Sequence, residues 1–176
     1  MSKLGFQRLA GFTLIEVLVT VFVLALGLIG FLQMDIYSSQ RARGTFFSST
    51  AGLITTEFSE RIYANRLGLL AGYYDKVDQT LWNSTPRNCV TNSCSPEEIA
   101  KYDQWIWLQG VKSQLPWEGV NYLDRATISG DGPDATGNGA SGDLTLTVKW
   151  LEIGAPEDDI ASFTIGVDVI LPGVNL

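Results

Sequence analysis

The chain has 176 residues, with 12 basic and 19 acidic side chains, no histidine and a net charge of −7. That length suits one domain of ordinary size, and the acidic balance argues against nucleic acid as a partner, because phosphate binding relies on clustered Lys and Arg. Without histidine there is no Ser-His or Cys-His dyad, and with Cys89 and Cys94 the only two cysteines there is no closed Cys/His zinc site, so neither catalysis nor a cofactor is expected.

The chain opens with a short polar leader, Met1 to Gly11, which carries Lys3 and Arg8 and ends in Ala10-Gly11. An almost uninterrupted apolar run from Phe12 to Leu32 follows, and its only charge is Glu16. At about 1.5 Å of rise per residue the run reaches roughly 30 Å, enough to cross the hydrocarbon of a bilayer. A cleavable secretory signal has a shorter apolar stretch, of about 7–15 residues, and its small-residue site lies after it. Here the small pair lies before the run, so a cut there leaves the hydrophobic segment on the mature protein. A carboxylate in a span is costly, by typically about 2.5–3.5 kcal/mol at the centre, and marks a partner or a function. Lys3 and Arg8 favour a cytoplasmic N-terminus, with the head across the membrane.

The block Gly11-Phe12-Thr13-Leu14-Ile15-Glu16-Val17-Leu18 resembles the class III leader of type IV pilins and type II secretion pseudopilins. The resemblance implies that a prepilin peptidase cuts after Gly11 and that the new N-terminal amine, on Phe12, is methylated. It also implies that Glu16, four residues beyond that terminus, meets the amine of the neighbouring subunit during filament assembly. The physics agrees: a poorly solvated ammonium and carboxylate lower each other's cost when they pair, whereas either alone stays expensive. A periplasmic protein with a plain signal anchor would account for the span but not for Glu16. Removing the leader deletes Lys3 and Arg8, leaving 10 basic against 19 acidic residues, or −9.

Beyond the span, residues 33–66 read as an amphipathic extension of the same helix. There is no proline, and Phe47, Ala51, Ile54, Phe58 and Ile62 recur on one helical face. Gly27, Gly30 and Gly44 offer points of bending, since glycine weakens a helix interior by about 1 kcal/mol. Residues 67–176 form the head. Gly68 to Asn92 reads as an irregular connection. Cys89 and Cys94 close a turn-rich stretch, and a disulfide there suits an oxidising compartment; two free thiols or half a metal site are the alternatives. Ser95-Pro96-Glu97-Glu98 is a helix start, with Ser95 as N-cap and Glu98 completing a capping box. That helix is expected over about 96–114, ending before Leu115-Pro116, with Ile99, Tyr102, Trp105, Ile106 and Leu108 on its apolar side.

Antiparallel strands are expected over about 120–170: Val120 to Ile128, then the clean alternation of Leu144 to Trp150, then Phe163 to Val169. Between the first two lies a Gly-rich loop, 130–142, in which Asp131, Asp134 and Asn138, with Asp143 just beyond it, could offer oxygen ligands to calcium; the spacing is not that of an EF-hand. Trp105, Trp107 and Trp117 are either core or a partner surface, because aromatics are enriched in binding hot spots.

The whole reads as α+β and pilin-like: a long N-terminal helix, membrane-spanning in its first half, packed against a small antiparallel sheet with an additional short helix. Cys89 to Cys94, Ser95-Pro96, Ala100, Asp103, Trp105, Leu115-Pro116 and Val148-Lys149-Trp150 resemble the minor pilins of the type IV pilus modification branch. The resemblance implies a bacterial inner-membrane protein with a periplasmic head that primes pilus assembly and reaches the cell surface at the pilus tip. Its partners would be other minor pilins, the major pilin and a tip-associated adhesin, in a filament serving adhesion and twitching motility. A type II secretion minor pseudopilin is the alternative reading.

Overall fold

The computed structural model describes residues 13–117, 120–131, 141–152 and 160–170. Helix α1, Leu14–Ala64, is helical through Gly27, Gly30 and Gly44 and divides between two compact units, Met1–Arg41 and Ala42–Leu176. In the first unit every described residue is exposed.

In the second unit, α1 turns the predicted stripe inward: Ala51, Ile54, Phe58 and Ile62 are buried and Phe47 packs against them. The helix stops at Asn65, whose side chain caps a further short helix, α2 (Arg66–Leu70), by accepting from the Gly68 N–H at 3.2 Å. A Cβ at position 68 would collide with the Asn65 carboxamide, so this turn needs glycine. The stretch expected to be irregular thus begins as a helix, and it also holds a 3-10 turn, Gln79–Trp82, capped by Asp78. Asx capping, which hydropathy does not register, supplies both starts.

Helix α3, Pro96–Gln114, has the predicted ends, with both arms of the Ser95–Glu98 capping box formed. Its inner face differs from the expectation. Ala100, Asp103, Gln104, Trp107, Leu108 and Val111 are buried, whereas Ile99, Tyr102, Trp105 and Ile106 are half-buried. Two polar side chains occupy the core-facing row because partners from the preceding connection satisfy them, as shown below.

Strands β1 (Ala126–Asp131), β2 (Ser141–Leu151) and β3 (Ile160–Ile170) form an antiparallel sheet in the order β1-β2-β3. The first strand starts later than predicted. Asn121 organises a turn before it, accepting from Leu123 N–H through its side chain at 3.2 Å and from Asp124 N–H through its carbonyl at 2.9 Å. Alternation on β2 sends Leu144, Leu146, Val148 and Trp150 into the core. They lie opposite Val167, Ile165, Phe163 and Ala161 of β3, so both strands feed one core. Thr145, Thr147 and Thr164 take the outer, hydrated face, where the Thr147 and Thr164 hydroxyls meet at 3.2 Å. Gly130, at φ +109°, lies where a Cβ would strike the Asp143 carbonyl, so β1 can approach β2 there only as glycine.

α1 lies on the inner face of this sheet: the Phe163 ring sits 3.4 Å from where a Cβ of Gly52 would be, and the Tyr63 hydroxyl donates to the Asp168 carbonyl at 3.1 Å. A single core cluster joins α1, α2, α3 and the three strands. At its centre the Phe58 and Trp107 rings stack, with centroids 4.5 Å apart and planes 8° from parallel.

Candidate functional site

The chain's most unusual chemistry is at the start of α1. The Thr13 carbonyl accepts from the Glu16 and Val17 N–H groups at 3.1 and 3.3 Å, which sets the first turn. Glu16 therefore lies within that turn, where the helix dipole favours an anion by about 0.3–1 kcal/mol. The neighbouring side chains Leu14, Ile15, Val17 and Leu18 are 86%, 71%, 52% and 63% exposed, so no part of the described chain covers this apolar surface. Among the described residues, α1 is the one helix long and apolar enough to cross a membrane. Gly11 and Phe12, the expected cleavage and methylation positions, lie outside the described residues, so the geometry bears only on Glu16.

Cys89 and Cys94 are joined by a disulfide, with their Cα atoms 5.6 Å apart. The free-thiol and metal alternatives therefore fall away for this pair. Asn88, the residue just before the ring, orders it: its side chain accepts from Val90 and Thr91 N–H at 2.9 and 3.3 Å, and Asn92 Nδ2 donates to its carbonyl at 2.9 Å. It leads directly into the α3 cap, where Glu98 accepts from Ser95 N–H at 2.8 Å and pairs with Arg87 at 3.3 Å. The Ser95 N–H, then Arg87, hold the Glu98 carboxyl below the usual carboxylate range. Replacing both cysteines by serine is expected to cost about 2 kcal/mol, the loop-closure entropy of so short a ring. Urea unfolding of the oxidised and reduced protein checks this, and the double variant should match the reduced chain.

A buried polar network ties the end of α1 to α3. The Tyr74 hydroxyl donates to Asp103 Oδ2 at 2.8 Å, and Asn65 Nδ2 donates to the Tyr74 oxygen at 3.0 Å and to the Pro96 carbonyl at 2.8 Å. Arg61, held by Glu57 at 2.9 Å, approaches Asp103 Oδ1 at 3.5 Å. The next residue, Gln104, accepts from Asp78 N–H at 2.8 Å and donates to the Tyr73 carbonyl at 2.9 Å. None of these partnerships was visible in the sequence. The one available signal was a polar pair, Asp103-Gln104, between Ala100 and Trp107.

Burial pushes the Asp103 carboxyl above the ordinary carboxylate range, against the opposing pull of Tyr74 and Arg61. Burial likewise pushes the Tyr74 phenol up, so it stays protonated and donates. A folded carboxyl that holds its proton more tightly than the unfolded one, which titrates near about 3.9, stabilises the fold fully below that pH. The contribution is lost as pH rises through the folded value. Unfolding free energy should therefore shift in favour of the wild type over Asp103→Asn as pH falls from about 7 to about 4. Urea midpoints at several pH values check it, and a gap that narrows or stays constant contradicts it.

The three tryptophans separate. Trp107 is core, at 1% exposed, Trp105 is half-buried and stacks on Tyr102 with centroids 5.8 Å apart, and Trp117 is 45% exposed under the Arg125 guanidinium at 4.3 Å. Asp134 and Asn138 of the calcium expectation lie outside the described residues. Asp131, Asp143 and Asp168 are register partners across the three strands, but no group of three acidic, His or Cys side chains among the described residues could hold a metal.

Residues 7–32 match the family described as the prokaryotic N-terminal methylation motif. Comparison with curated proteins gives no significant match. Solved structures give none either. The matched stretch contains Gly11, Phe12 and Glu16 and the first part of α1. It is consistent with anchoring in the inner membrane and implies processing by prepilin peptidase and assembly with other pilins. Together with the long apolar helix packed against a small antiparallel sheet, the motif supports a type IV pilin-like or pseudopilin protein.

Proposed function

We propose that this protein is a minor pilin of the PilV type, the type IV pilus modification branch, and that it primes filament assembly in a complex with other minor pilins. The observation that carries the reading is Glu16, a lone carboxylate in the run Phe12 to Leu32, four residues beyond the expected new N-terminus and inside the matched motif. It acts by association and not by turnover: its acid neutralises the methylated amine of an adjacent subunit, lowering the cost of both groups in hydrocarbon. The head, on the periplasmic side and later at the pilus tip, contacts other minor pilins, the major pilin and a tip-associated adhesin.

Mass spectrometry of the protein from native membranes, together with a deletion strain, tests this. The expected result is a mature chain beginning at methylated Phe12, and loss of surface pili with protein secretion intact. A secretion defect with pili intact would assign the protein to a type II secretion system as a minor pseudopilin. A leader still attached would overturn both readings.

A further inference from the structure

α3 runs antiparallel to α1, as the pairings of Gly110 with Ile54, Trp107 with Phe58 and Asp103 with Arg61 show. The C-terminal end of α3 therefore lies where α1 enters the second unit, near Ala42. The close of β2 reaches the same end. The Leu151 N–H donates to the Pro116 carbonyl at 3.1 Å, and a Cβ on Gly44 would meet the Glu152 side chain. Trp117 is exposed here, and so are Tyr122 and Leu123 in the turn before β1 and Ile160 opposite Leu151.

Arg125 stands at the centre of this end. Its guanidinium lies 4.3 Å from the Trp117 ring centroid and 5.9 Å from that of Trp82, and its Nε donates to the Val120 carbonyl at 3.0 Å. No ion pair engages it among the described residues. Burial pulls its pKa below the ordinary arginine value, because the charged form has lost water. Arginine stays charged regardless, so this cation meets an anion with part of its hydration already gone.

Other cations gather around it. Lys112 Nζ reaches the Trp82 carbonyl at 3.5 Å, and the Lys149 N–H donates to the Arg125 carbonyl at 2.8 Å. With Arg43, exposed at the entry of α1, these face Asp124 and Glu152, a cationic balance in a chain of net charge −7. Rings with one apolar and one polar edge, interleaved with Arg and Lys, suit the boundary between hydrocarbon and headgroups. The guanidinium fork matches two phosphate oxygens. Connectivity selects this occupant: Ala42 is ten residues beyond Leu32, so the chain holds this end within about 35 Å of the apolar run.

We propose that the Trp117–Arg125 patch binds the phosphate headgroups of an anionic bilayer and lays the unassembled head against the membrane that anchors it. The inference rests on the membrane-anchored reading of residues 12–32.

The full-length protein in vesicles that carry a headgroup-linked quencher, made of phosphatidylcholine with or without phosphatidylglycerol, tests the proposal. Trp117 emission is isolated as the difference between the wild type and Trp117→Phe. It should be quenched when phosphatidylglycerol is present and largely spared in phosphatidylcholine alone. Arg125→Gln should lower the ratio of quenched to free Trp117 about fivefold, the effect of one cation near an anionic surface, and Arg125→Lys should lower it less. Salt gives the same reading without a variant: raising ionic strength from about 0.1 to about 1 M shortens the screening length from about 10 to about 3 Å and should release Trp117. Trp117 unquenched in the anionic vesicles overturns the proposal, as does equal quenching in phosphatidylcholine alone or indifference to Arg125→Gln and to salt. Washing the same vesicles with alkaline carbonate separates the two readings. Protein that is retained with Trp117 unquenched fails the patch, and protein that is washed away fails the anchor.

Discussion

Replacing Glu16 by alanine is expected to leave cleavage after Gly11 intact and to reduce incorporation into filaments by roughly a hundredfold or more. The magnitude follows from breaking an ion pair out of water, which costs about 3–5 kcal/mol because the surviving partner stays charged and unpaired. On the proposed reading the survivor is the methylated amine of the adjacent subunit, and hydrocarbon offers it no substitute. Glu16 is the only ionisable side chain between Phe12 and Leu32, so nothing else in the span can take over. Immunoblots of membranes and of sheared pili, normalised to mature protein, provide the measurement. Incorporation within threefold of wild type would remove the pairing from the account.

The second large effect is on the head. Phe58→Ala is expected to lower unfolding free energy by about 3–5 kcal/mol, the range for deleting a buried aromatic ring. Phe58 is 1% exposed and stacked on Trp107, with Tyr74 tilted against it at 6.2 Å. The substitution removes the ring that joins α1 to α3 and loosens the shelf on which the Tyr74–Asp103 hydrogen bond rests. Against a total of about 5–15 kcal/mol for a typical domain, such a loss leaves little reserve. Urea unfolding checks it: a shift under 1 kcal/mol would mean the neighbouring chains collapse into the space. Phe58→Leu, which keeps most of the volume, should cost less.

How much of this was legible beforehand depends on the kind of signal. The α1 stripe was, because apolar residues at spacings of three and four leave few alternatives to one helical face. So were both ends of α3, fixed at one end by Ser95-Pro96 with Glu98 and at the other by Pro116, and the alternation of β2. Glu16 stood out because a charge in an apolar run has no structural excuse. Hydropathy ranks Asp103 and Gln104 as solvent-facing, yet both lie on the inner face of α3. Their burial is offset by Tyr74, Asp78 and Tyr73, more than 20 residues earlier in the chain, and no local pattern encodes that pairing. Strand β1 was begun too early for a related reason: Val120 and Tyr122 look like strand residues, but the Asn121 side chain offers the backbone a turn instead. The spacing of Cys89 and Cys94 permitted a bond without requiring it, since a bond depends on Cα separation, which only the fold supplies.

Cys94 and Ser95 are adjacent, so the covalent ring and the mouth of α3 share a junction. A chain that is never oxidised keeps every contact deeper in the bundle but loses the constraint on the residue that must find Glu98. Damage would then spread inward from the first turn of α3 rather than through the whole head at once. The disulfide thus acts as a local clamp on one helical entrance, and its loss should be felt first at the Ser95–Glu98 cap.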